Sequence, residues 1–148
     1  MPDISDPIRV ESKAKRPVLV WVISIYYLIS AGFTILSIVL IYSGLIPVDG
    51  VQKEYFDGLT LFDHISTVLI GSLNLLGAVF LFILRKHAFH LFLAGFVAGL
   101  IATAYHILAK NWIETIGTAG FIGAAIGWGI SISIIFYTKR LSNRKILN

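Results

Sequence analysis

Residues 17–48 read PVLVWVISIYYLISAGFTILSIVLIYSGLIPV, a stretch of 32 positions without Asp, Glu, Lys or Arg. About 20 residues of apolar helix cross a hydrocarbon core roughly 30 Å thick, so this run is long enough to span one. Three further charge-free runs follow: His64–Leu84 with 21 residues, His87–Ala109 with 23 and Thr115–Thr138 with 24. A transmembrane β-strand alternates polar and apolar positions over about ten residues, and none of these runs does. The pattern predicts an all-α integral membrane protein, four antiparallel transmembrane helices in an up-down bundle. They form a single membrane domain over 1–148, with helices near 18–43, 64–84, 88–109 and 116–138, an outer loop over 44–63 and short cytoplasmic tails.

Composition points the same way. The chain is 57% hydrophobic and 14% charged, against about 45–50% and about 25% in soluble domains. Lys13, Lys15 and Arg16 ahead of an apolar run, with small residues at Ser30-Ala31-Gly32, resemble a secretory signal. The apolar run, however, continues from Gly32 to Tyr42, past the roughly 7–15 residues of a signal core, and reads as a retained helix. The absence of cysteine excludes disulfides, thiolate metal sites and a cysteine nucleophile.

Charge sets the expected orientation. Arg9, Lys13, Lys15 and Arg16 precede the first run, Arg85 and Lys86 join the second to the third, and Lys139, Arg140, Arg144 and Lys145 follow the fourth. If four helices alternate, these ten of twelve basic residues share one side, while Lys53 and Lys110 face the other with Asp49, Glu54, Asp57, Asp63 and Glu114. Basic residues are retained on the cytoplasmic side, so both termini are expected there. The net charge of +4 then serves topology and contact with anionic lipid headgroups, not nucleic acid. Arg85-Lys86-His87 is a tight turn, Trp112 suits the headgroup belt, and residues 51–62 show helical spacing of Val51, Tyr55, Phe56, Leu59 and Phe62, as in a short amphipathic segment on the outer surface. Met1–Ser12 and Ser142–Asn148 are expected to be disordered or frayed.

Helices in lipid associate through small residues and interhelical hydrogen bonds. His64, Thr67, Gly71, Asn74 and Ala78 share one face of the second helix, and Gly95, Gly99, Ala102 and His106 one face of the third. Folding the hairpin about residue 85 or 86 sets Gly71 level with Gly99 and His64 level with His106. The fourth helix offers Gly120, Gly123 and Gly127; without a preceding strand or a Lys-Ser/Thr ending, these read as packing positions, not a phosphate loop.

The candidate chemistry is a pairing of His64 with His106, as haem ligands or, with Asp63 and Glu114, as a metal site. No tight ligand spacing such as HxxxH or HExxH occurs, and no nucleophile–base set stands out, so neither a cofactor nor an enzymatic activity is expected.

Lys15-Arg16-Pro17-Val18-Leu19-Val20 and Leu84-Arg85-Lys86-His87-Ala88-Phe89-His90-Leu91-Phe92 resemble small bacterial inner-membrane proteins, in which a basic-Pro pair opens the first helix and an LRKxAF-like turn joins the second to the third. The resemblance implies a multi-pass protein of the bacterial cytoplasmic membrane and brings no catalytic residue. The expected role is a non-enzymatic accessory subunit or scaffold with a partner membrane protein or further copies of itself. The alternatives are a haem-, metal- or ion-binding protein centred on His64 and His106, and an oligomeric channel lined by Ser30, Thr34, Ser37 and Asn74.

Overall fold

The structure, a computed structural model, describes residues 16–47, 50–110 and 112–147. Lys13 and Lys15, expected to flank the first span, lie outside them. All regular structure among the described residues is helical: α1 Val18–Tyr42, α2 Val51–Asp57, α3 Leu61–Phe82, α4 His87–Ala109 and α5 Trp112–Asn143. Four of these, α1, α3, α4 and α5, are long and apolar enough to cross a membrane. Their outward faces carry bare apolar side chains, with Phe33 69% and Leu108 87% exposed. Acyl chains accommodate such surface, whereas water drives it into interfaces.

Local chemistry explains the helix limits. α3 begins at Leu61 because Thr60 and Asp63 form a capping box that satisfies its first-turn donors. α2 occupies the long loop, with Tyr55 and Phe56 half-buried while Lys53, Glu54 and Asp57 stay exposed. α5 is interrupted at Gly117, whose φ of 61° and ψ of −173° are not helical. Only glycine enters that region without a Cβ clash, and residues 112–116 thereby turn as a separate short segment.

Three helices end in the same motif. After α1, α3 and α5, a residue with positive φ (Gly44, Leu84, Lys145) is followed by an N–H that reaches back five residues: Leu45 to Leu40, Arg85 to Phe80 and Ile146 to Leu141. The third of these turns Leu147 into the apolar core, where it is 5% exposed. The fraying expected over Ser142–Asn148 therefore does not occur through Leu147, because an apolar anchor and three backbone hydrogen bonds, donated by Arg144, Lys145 and Ile146, hold it.

α3 and α4 form the central hairpin. Asp63 faces His106, Asn74 lies on Gly95 and Gly77 on the Phe92 ring, so the contacts climb one helix as they descend the other. α1 packs on α3, and α5 on α4 and α2. The apolar core sits at one end, where Val20 and Ile23 of α1, Ala78 and Leu81 of α3, Ala88 and Phe92 of α4, and Ile134 and Leu141 of α5 meet. That end also gathers the basic residues: the Arg16 guanidinium stands 4.4 Å over the Phe82 ring, and Pro17 shares a cavity with Arg140 and Arg144. Bordering this core at Ile23 and Ile134, a groove of about 470 Å³ parts α1 from α5.

Candidate functional site

The opposite end of the hairpin holds the densest polar cluster among the described residues. Asp63, in the first turn of α3, is only 3% exposed. Its Oδ2 accepts from the Thr60 backbone N–H at 2.6 Å, from the Thr60 hydroxyl at 2.8 Å and from Lys110 Nζ at 2.5 Å. Lys110, at the C-cap of α4, also donates to the Gly58 carbonyl at 2.7 Å. One ammonium thus joins the loop after α2, the start of α3 and the end of α4. Both charges suit their helix ends, since an acid at an N-terminus and a base at a C-terminus complement the helix dipoles.

His106 completes the cluster. Its Nε2 lies 3.8 Å from Asp63 Oδ1, and its Nδ1 lies 3.3 Å from the Tyr55 hydroxyl of α2. Asp63 Oδ1 is buried without a hydrogen-bond partner. Burial and the nearby Asp63 charge together push the Tyr55 phenol above its ordinary range, because both disfavour a phenolate. Beside the cluster, Glu54, Tyr55, Lys110 and Glu114 line a cavity of about 390 Å³ that opens to the surface.

The structure treats the residues singled out in the sequence unequally. Asp63 and His106 come together, but His64 turns to α1, where its Nε2 meets the Tyr42 hydroxyl at 3.3 Å. Glu114 lies on the cavity wall with Lys110. Among the described residues no three His, Cys, Asp or Glu side chains are grouped as a metal ligand set. Of the hydroxyls suggested for a pore, Thr34 donates to the Ser30 carbonyl of its own helix.

Small residues also divide. A Cβ placed on Gly95 would stand 2.7 Å from Asn74 Oδ1, so this glycine is where the half-buried amide of α3 closes on α4. Gly99 is looser, its nearest neighbour being Ile70 Cγ2 at 4.0 Å. Gly120 abuts only Ile116, one turn earlier in α5, while Gly71, Gly123 and Gly127 meet no atom within 4 Å of a Cβ. Within this chain these last three are open positions, not close helix contacts. Gly77, which the sequence reading passed over, takes the Phe92 ring at 3.0 Å.

Lys110, Thr60 and Tyr55 were likewise not expected in the site. Thr60-Leu61-Phe62-Asp63 is a Thr-x-x-Asp ahead of an apolar run, a capping-box signal visible in the chain. Lys110 carries no local signal, since its partner is 47 residues away. No protein-family model matches this chain, and no curated protein or solved structure does either.

Proposed function

We propose that this protein is a non-enzymatic, multi-pass protein of the bacterial cytoplasmic membrane, acting as an accessory subunit or scaffold. In this reading the four long helices alternate as an antiparallel bundle. The basic end, with Arg16, Arg85, Lys86, Lys139 and Arg140, faces the cytoplasm, and α2 with the Asp63 cluster faces the other side. One observation carries the proposal: the buried acid is spent on structure. Asp63 Oδ2 takes up Thr60 and Lys110, and Lys110 takes up Gly58, so the strongest polar contacts clamp α2 to the hairpin instead of facing a substrate. What remains for function is the lateral surface of the helices.

Affinity purification of the full chain in mild detergent from its native membrane tests this. A second membrane protein, or further copies of the chain, should co-purify in fixed stoichiometry. A monomer carrying a Soret band or bound metal would overturn the reading in favour of the cofactor alternative. A second reading, proton or cation handling, draws on one specific feature, the unpartnered Asp63 Oδ1 facing His106 at 3.8 Å. Uptake of a pH-gradient dye signal by reconstituted vesicles, lost in His106→Gln, would favour it over the scaffold role.

A further inference from the structure

The groove between α1 and α5 and the basic cavity at the chain's end are two parts of one feature. The groove is lined by Leu19 and Ile23 from α1 and by Ile126, Ile130, Ser133 and Tyr137 from α5. Tyr137 also lines the second cavity, of about 220 Å³, together with Pro17, Arg140 and Arg144. From Ile126 to Tyr137 the groove follows about 16 Å of helix, close to half of a roughly 30 Å hydrocarbon core. An apolar channel one leaflet deep therefore ends in a pair of guanidinium groups.

Arg140 lies in the last turn of α5 and Arg144 directly follows the helix, its N–H donating to the Arg140 carbonyl at 3.1 Å, so the two stand one turn apart, near enough for one phosphate to meet both. Among the described residues no carboxylate pairs with either, because Glu54, Asp57 and Glu114 lie on or beside α2 and the cavity at the opposite end and Asp63 is bound to Lys110. Pro17, the N-cap of α1, forms another wall of the cavity. α1 has no side-chain cap there, so the positive end of its dipole adds to the field of the two arginines. Charge and shape agree on the occupant.

The geometry points to a bound anionic phospholipid, its phosphate on Arg140 and Arg144 and one acyl chain between α1 and α5. The lipid completes the bundle on the side where the helices leave it open, which is consistent with Gly129 having no neighbour within 4 Å of a Cβ. This site needs only that the basic end lies at a headgroup layer. It does not depend on a protein partner.

Native mass spectrometry of the full chain released from detergent tests it, with phosphatidylglycerol and phosphatidylcholine of identical acyl chains as probes. The expected result is one retained phosphatidylglycerol, with phosphatidylcholine held about tenfold more weakly or less. R140Q/R144Q should remove that preference while leaving residual binding equal for the two lipids. Both arginines are exposed, so the variant keeps its fold. Gly129→Leu, which fills the groove, should weaken retention of both lipids. Equal retention of the two lipids by the wild-type chain, undiminished phosphatidylglycerol binding by R140Q/R144Q, or a protein dimer without lipid would overturn the assignment.

Discussion

Lys110 decides the fate of Asp63, the most buried acid among the described residues. Its ammonium and the Asp63 carboxylate share a site in which Asp63 is 3% exposed and the Lys110 side chain 13%. Removing one member of such a pair strands the other in a poor dielectric, which costs about 3–5 kcal/mol, whereas replacing both with apolar groups is often neutral. Lys110→Met should therefore lower the thermal unfolding temperature in detergent severely, and Asp63→Leu combined with Lys110→Met should recover most of the loss. Equal destabilisation by the single and double variants would show that the pair does not carry the clamp. Tyr55→Phe removes one hydrogen bond to His106 and should cost about 1 kcal/mol.

Element by element, close packing and helix termination do the work. Gly77 is pressed against Phe92, which is 1% exposed, while Gly71 on the same helix faces open space. Gly77→Leu should destabilise the hairpin by about 1–3 kcal/mol through overpacking; Gly71→Leu should leave the unfolding temperature unchanged. The sequence pattern set Gly71 level with Gly99 on facing small stripes that include Asn74 and Gly95; the tight contacts fall at Asn74–Gly95 and Gly77–Phe92, because residue type and spacing identify a small face but not the azimuth at which two helices meet. The terminal motifs show a similar divide. Gly44 announces its turn, whereas Leu84 and Lys145 hold φ values of 58° and 56° with full side chains. An L-residue there costs roughly 1–2 kcal/mol. Lys145 is exposed, so Lys145→Gly should stabilise the chain by about 1 kcal/mol, read as a raised unfolding temperature. Leu84 is instead packed on the core, and the burial of its side chain offsets the strain.

At the scale of the whole molecule, the two ends of the hairpin are built from opposite materials. One is an apolar core ringed by arginine and lysine, the other a buried ion pair beneath α2. Because the chain contains no cysteine, single cysteines report topology without background. Asp57→Cys should react with an impermeant maleimide in intact cells, whereas Lys86→Cys and Asn143→Cys should react only after permeabilisation. Labelling of Lys86→Cys from outside would invert the proposed orientation.

The sequence by itself determined the class of fold. In lipid only helices and closed barrels satisfy the backbone; four charge-free runs of 21 residues or more without polar–apolar alternation point to helices, and four helices long and apolar enough to cross a membrane are found. It also marked Asp63 and His106, because ionisable residues stand out against an apolar background. Tertiary structure decided their partners. Lys110 and Tyr55 reach the cluster across separations of 47 and 51 residues, and His64 leaves it for Tyr42. The rotation of each helix about its axis settles such contacts, and composition and spacing constrain that rotation only to a face. The same rotation parts α1 from α5 and sets a groove above two arginines that, in the linear chain, look only like the basic end of a helix.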